Sequence, residues 1–212
     1  MRFQRPLNVI LDSEHRVRIL RFLCHKGGEW IGRRLATELA MNPVTAHRAL
    51  RNLHQSTILD FRKVGTHFLY SLRDNHYLVR EVLRPLFERE AKARQRLVEV
   101  LRSGLSPALR RHMVTAAIYG SIARGQEQPA SDVDLLVLVN SEQDKQIVRA
   151  ALDRLGGTVM QTFGNPLTLY INTVREAQRK TRHGLPLFKN ILNEHQLVFG
   201  KPLQEALRGR KA

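Results

Sequence analysis

The chain is short of cysteine, short of acid and without a long apolar run, and each shortage removes a class of protein. One cysteine, Cys24, in 212 residues rules out an internal disulfide and suits a reducing compartment. Its setting in Phe22-Leu23-Cys24 reads as a small core position. No apolar stretch approaches the roughly 18 residues of a membrane span. Met1-Arg-Phe-Gln-Arg-Pro-Leu-Asn8 lacks the apolar centre and small-residue cleavage site of a signal peptide. A soluble, cytoplasmic protein with no membrane partner is expected. No internal repeat or low-complexity tract interrupts it, and His183 and His195 have no carboxylate or cysteine at metal-ligand spacing.

What is abundant is positive charge. Lys and Arg number 35 against 19 Asp and Glu, a formal net charge of +16. That exceeds what solubility requires and points to a polyanionic partner. The excess is uneven: 21 basic against 10 acidic residues up to Arg110, then 14 against 9. The length suits two modest domains, each with its own core.

The densest chemistry lies in the second half. Val114 to Tyr119 reads as a buried strand, Gly120-Ser121 as a tight turn, and Asp132-Val-Asp134-Leu-Leu-Val as the next strand. Alternate strand residues share a face, so Asp132 and Asp134 point together while Val133 enters the core. Two close carboxylates repel unless a cation lies between them, and hard oxygen ligands favour magnesium carrying phosphates. Amides following Gly120 at a helix start favour negative charge.

This segment, Gly120-Ser121-Ile-Ala-Arg124-Gly125 followed by Ser131-Asp132-Val-Asp134, resembles the signature of the DNA polymerase beta-like nucleotidyltransferase superfamily, in particular its minimal bacterial and archaeal domains. The resemblance implies that Gly120 and Ser121 hold phosphates, with Arg124 and Ser131 as further nucleotide contacts. It implies that Asp132 and Asp134 are catalytic and bind Mg2+, and that a nucleoside triphosphate, ATP foremost, is substrate or ligand. Such a site transfers a nucleoside monophosphate in line, with the metal stabilising the charge. The family's third carboxylate is missing from the candidate strand Pro166 to Thr173. The best register puts Thr168 in its place, with Asn165 and Asn172 at the strand ends. Glu176 lies beyond the strand and reads as the first turn of a helix.

The first half reads as three helices and a hairpin. Ser13 is a candidate cap for a helix with Val17, Ile19, Leu20 and Leu23 inside, stopped at Lys26-Gly-Gly28. Ile31, Leu35 and Leu39 mark a second helix, and Met41-Asn42-Pro43 a turn into a third. In the third, Ala46, Ala49, Leu50 and Leu53 form the inner stripe, which leaves Thr45, His47, Arg48 and Arg51 outside, a face suited to a major groove. Ile58 to Lys63 and Thr66 to Leu72 flank a Val64-Gly65 turn. Residues 11–72 resemble the winged helix-turn-helix of ArsR and MarR regulators. The resemblance implies double-stranded DNA as partner, with Thr45, His47, Arg48 and Arg51 at bases or phosphates and Arg62, Lys63 and His67 on the backbone.

Between the halves, Asn75 to Leu105 is rich in helix formers, with Pro85 as a candidate kink and Leu86, Ala93 and Val100 seven apart. A homodimer is expected, as is common among winged-helix regulators. Ser103 to Pro107 reads as a linker. Ser141 to Leu155 reads as a helix stopped by Gly156-Gly157, Val159 to Phe163 and Leu167 to Ile171 as strands, the segment from His183 to Leu192 as a closing helix, and Leu197 to Gly200 as a short strand.

The expected architecture is α+β: a winged helix-turn-helix at 1–74, a connecting or dimerisation helix at 75–107, and a mixed α/β nucleotidyltransferase domain at 108–212. The expected function is a DNA-binding transcription regulator with a nucleotide- and magnesium-binding, catalytically weak second domain. Two alternatives stand beside it. One is an active transferase acting on a protein, small-molecule or nucleic-acid hydroxyl, with a base such as Glu176. The other is a purely DNA-binding protein that keeps a degenerate transferase fold.

Overall fold

The structure is a computed structural model in which residues 3–208 are described. The chain divides into two compact units at Ala93–Arg94, within the expected connecting segment.

The first unit opens with the short helix α1 (Leu7–Ile10), then α2 (Glu14–Lys26), β1 (Trp30–Ile31), α3 (Gly32–Glu38), α4 (Pro43–Gln55), β2 (Leu59–Val64) and β3 (His67–Leu72). Helix α2 ends where Gly27 takes φ +61°, the backbone role expected of the double glycine. Asn42 caps α4: its side-chain oxygen accepts from the amides of Val44 (2.9 Å) and Thr45 (3.4 Å), and Pro43 occupies the first turn, where no amide is missed. Three strands form an antiparallel sheet in the order β1-β3-β2. Ile19, Leu20, Leu23, Leu35, Ala46, Leu50 and Leu53 pack into one core beneath it, reproducing the expected inner stripes. This is a winged helix-turn-helix, with α4 as recognition helix and β2–β3 as wing. The turn falls at Gly65-Thr66, one residue later than expected, because β2 keeps its pairing through Val64 opposite His67.

A π-helical turn at Val79–Leu83 leads into α5 (Arg84–Ala91), with Pro85 in its first turn, and then α6 (Ala93–Gly104). The expected single long helix is interrupted at Lys92. Leu86 is 42% exposed while Val100 is buried in the second unit's core, so the seven-residue spacing does not form one surface stripe.

The second unit continues with α7 (Pro107–Arg110), β4 (Met113–Tyr119), α8 (Gly120–Arg124), β5 (Val133–Val139), α9 (Glu142–Phe163), β6 (Leu167–Thr173), α10 (Val174–Arg182), α11 (Pro186–Asn193), β7 (Gln196–Gly200) and α12 (Leu203–Leu207). Ser103 to Pro107 is not an open linker, since Leu105 is buried and Gly104 lies against Leu155. The sheet order is β6-β5-β4-β7; β5 and β6 run parallel and the other pairs antiparallel. Both faces are covered, which explains the unbroken apolar run of β5. Val133, Leu135, Val137 and Val139 pack towards Val148, Leu152 and Val159 of α9. Leu136 and Leu138 pack on the opposite face with Ala177, Phe188, Ile191 and Leu203.

Two expectations fail together here. Gly156-Gly157 does not stop α9, and Val159 to Phe163 is its last turn rather than a strand. Val148, Leu152, Leu155 and Val159 keep one buried stripe across the glycines, so packing outweighs the roughly 1 kcal/mol that each glycine costs a helix. The helix stops at Gly164, whose φ of +78° supplies the left-handed cap. His183 caps α10, and the closing helix starts at Pro186 rather than His183.

Candidate functional site

Strand β4 ends at Tyr119 and the chain turns at once into α8 through Gly120. Tyr119 lies opposite Asp134 on β5, and Asp134 lies opposite Thr168 on β6. Gly120, Asp134 and Thr168 therefore meet at one end of three adjacent strands. Gly120 is held at φ +75°, and a Cβ built there would come 2.2 Å from Asp134 Oδ2. Only a glycine lets the turn and the carboxylate share that space.

Asp132 is exposed and immediately precedes β5; its Oδ2 accepts a hydrogen bond from Thr168 Oγ1 at 2.8 Å. Asp134 is half-buried, and its carboxyl is pushed above the usual carboxylate range, first by burial and then by the charge of Asp132, while Arg124 opposes the shift. Two hard oxygen donors this close, one of them already raised in proton affinity by the other's charge, fit a divalent cation, whose charge would relieve their repulsion. Tyr119, beneath them, is pushed up to about 12 by burial and by Asp134 and Tyr170. Arg124 is exposed and lies 3.7 Å from Glu194.

Several polar residues support the site instead of facing it. Ser131 Oγ accepts from the Gln128 amide at 2.8 Å and so braces the loop before Asp132. Asn165 donates to the carbonyls of Pro129 and Ser131 at 3.2 and 2.8 Å, clamping the same loop. Asn172 is buried and accepts from Lys180 Nζ at 2.5 Å.

Thr168, a hydroxyl and not a carboxylate, lies directly opposite Asp134 on the neighbouring strand. Glu176 lies at the opposite end of the sheet, since β6 continues from Thr168 to Thr173, about 16 Å along the strand, before α10 begins. There it closes a capping box with Thr173 and pairs with Lys145 Nζ at 2.5 Å. The hydrogen bond from Lys145, reinforced by Thr173, holds its carboxyl down at about 2. Among the described residues, no group of three or more His, Cys, Asp or Glu side chains is placed to hold a metal ion.

On the first unit, His47, Arg48 and Arg51 are exposed on α4 and Thr45 is half-buried. The wing residues split. Lys63 and His67 are exposed, whereas Arg62 makes a two-point ion pair with Glu29, Nε to Oε1 at 2.7 Å and Nη2 to Oε2. Its guanidinium is already engaged by a carboxylate 33 residues away in the chain, a contact that residue spacing does not reveal. Cys24 is pushed up to about 11 by burial, in keeping with a packing role.

A family model described as "Nucleotidyltransferase domain" matches residues 103–194, a span that contains Gly120, Ser121, Asp132 and Asp134. Comparison with curated proteins gives no match. Among solved structures, a possible transcriptional regulatory protein (fragment 1-100) from Mycobacterium bovis is 26% identical, covering 41% of this chain and 84% of that one, at a TM-score of 0.32. The antimony-specific transcriptional repressor AntR is 23% identical over 41% of this chain and 75% of its own, TM-score 0.35. A toxin-antitoxin complex with AMP-PNP is 14% identical over 54% and 77%, TM-score 0.34. Residues 103–194 are thus similar to a nucleotidyltransferase domain, and the unit before them has the strand and helix order of a winged helix-turn-helix.

Proposed function

We propose that the protein is a DNA-binding transcription regulator whose second domain binds a nucleoside triphosphate, ATP foremost, with Mg2+, and transfers the nucleotide weakly if at all. The observation that carries this reading is the meeting of Asp132 and Asp134 with Thr168 beside Gly120, two acidic donors and a hydroxyl where the resemblance calls for three carboxylates.

In this reading Asp132 and Asp134 hold the cation, and Gly120 with Ser121 presents backbone amides to the phosphates. Arg124, which already lowers the proton affinity of Asp134, adds positive charge on the same side. The bound ion would supply charge neutralisation for the triphosphate. No described residue fills the role of base on an acceptor: Thr168 spends its proton on Asp132, and Glu176 is locked in its cap far along the sheet. That disfavours efficient transfer and favours nucleotide sensing.

Recognition helix α4 supplies His47, Arg48 and Arg51 to double-stranded DNA, with Lys63 and His67 on the wing. The basic excess of this half supports that assignment. A homodimer belongs to the proposal, because one winged helix covers one half-site. Exposed Tyr77 and Leu86 offer apolar surface for a second copy.

The direct test is calorimetric titration of ATP, GTP, CTP and UTP with and without Mg2+, beside an Asp132→Asn, Asp134→Asn double variant. Magnesium-dependent binding lost in the variant supports the reading. Absence of binding by every nucleotide would leave the second domain as a fold without its ligand.

A further inference from the structure

The wing carries a feature that duplex recognition leaves unused. Phe61 and Phe68 are each 41% exposed, and their rings stack with centroids 5.3 Å apart and an interplanar angle of 26°. Tyr70, which is buried, is 5.3 Å from Phe61, and the His54 ring is 5.4 Å from Phe61, both tilted against it. The register explains the cluster. Phe61 lies opposite Tyr70, and Lys63 opposite Phe68, so all four share the hairpin face turned to α4. Core packing would account for such a column if its outer rings were covered, yet only Tyr70 is.

The column forms one wall of a groove of about 570 Å³ whose other wall is α4, with His47, Arg51 and Gln55. A second groove of about 440 Å³ shares His47, Phe68 and Tyr70 and continues towards Arg33, Thr66 and His67. Neither groove is lined by an acidic residue. Paired B-form DNA offers phosphates and base edges to a protein but keeps its base faces stacked inside. An unpaired nucleotide offers a π-face and a phosphate together, and basic grooves with aromatic platforms bind single strands in this way. Each groove has the volume of an ordinary small-ligand cleft.

We propose that the groove between recognition helix and wing binds unpaired nucleotides of single-stranded nucleic acid. A base stacks on Phe61 and Phe68, and Arg51 with Lys63 holds the flanking phosphates. The inference stands apart from the duplex-regulator reading, and one experiment separates them. Fluorescence anisotropy of the full chain is measured with labelled single-stranded DNA of about a dozen nucleotides, single-stranded RNA of that length, and the corresponding duplex. The variants are Phe61→Leu, Phe68→Leu, which keeps apolar bulk and removes both π-faces, and Phe61→Trp, Phe68→Trp, which restores them.

The expected result is single-strand affinity down about tenfold or more in the leucine variant and recovered in the tryptophan variant, with duplex affinity within about threefold of the parent. The DNA and RNA arms identify which strand is preferred. If the parent binds neither single strand, or if leucine weakens single strands and duplex alike, the inference is overturned. Should the parent bind single strands through these rings and no duplex, the stacking site stands and the duplex-regulator reading falls.

Discussion

Gly120 and Asp134 are packed so closely that the turn after β4 and the carboxylate on β5 exclude any side chain between them: a Cβ on residue 120 would lie 2.2 Å from Asp134 Oδ2. Gly125, five residues on, also has positive φ, +67°, but with nothing within 4 Å of a built Cβ. The two glycines therefore separate backbone strain from site geometry. Gly125→Ala is expected to cost about 1 kcal/mol of stability and leave nucleotide binding intact. Gly120→Ala adds a steric conflict that must displace Asp134, so magnesium-dependent nucleotide binding should fall at least about tenfold, a change of about 1.4 kcal/mol. Equal binding by the two variants would show that Asp134 does not hold the ligand.

Glu176 is expected to matter for stability and not for nucleotide. Its carboxyl, ordinarily near 4.5, sits at about 2 in the folded state through Lys145 and Thr173. A depressed carboxylate stabilises the fold fully above its ordinary value, and that contribution is lost as pH falls from about 4.5 towards about 2. Glu176→Gln should therefore lower stability by about 1–2 kcal/mol near neutral pH, with the gap to the parent closing in acid. Denaturant melts across that range read the effect. Nucleotide affinity within about twofold of the parent is the companion expectation, and a large loss would return Glu176 to the site.

How much of this was legible in the sequence follows from the range over which each signal acts. The Gly120-Ser121 turn and the Asp132, Asp134 alternation are local, so the chain itself announces them, whereas the pairing of Asp134 with Thr168 joins two strands and is visible only in the structure. The inner stripe of α4 and its Asn42-Pro43 start were readable for the same reason. Gly156-Gly157 misled because helix propensity is a weak local term, and Val148, Leu152 and Val159 are anchored by a sheet that the local sequence does not display. Glu29 on Arg62 and Lys145 on Glu176 are contacts across 33 and 31 residues of chain, invisible to spacing. Phe61, Phe68 and Tyr70 alternated as a buried face would. Only the structure shows that the outer two rings are left uncovered by α4.

The Arg62–Glu29 pair makes a prediction about DNA. A guanidinium held at two points by a carboxylate neutralises little of a phosphate until that pair opens. Glu29→Gln should free Arg62, raising duplex affinity and steepening the dependence of log affinity on log salt by about one unit. Arg62→Ala in the native background should change the slope far less than Arg48→Ala on the exposed face of α4. If Arg62→Ala and Arg48→Ala cost the same, the ion pair does not hold Arg62 back.

Thr168 offers the sharpest test of why transfer should be weak. It stands opposite Asp134 and hydrogen-bonds Asp132, so Thr168→Asp places a third carboxylate beside the existing two. Without a cation, like charges crowd and the variant should be less stable than the parent near pH 8, where all three tend to ionise. Magnesium should reverse this, raising the melting temperature by about 4 °C or more beyond its effect on the parent, roughly 1 kcal/mol for a domain of this size. If the missing carboxylate is what limits the chemistry, the same variant should also gain magnesium-dependent transfer from labelled ATP to a hydroxyl acceptor or to the protein itself. A variant that binds magnesium more tightly yet still transfers nothing would place the defect at the acceptor side, and a variant indifferent to magnesium would mean that Asp132 and Asp134 do not form a metal site.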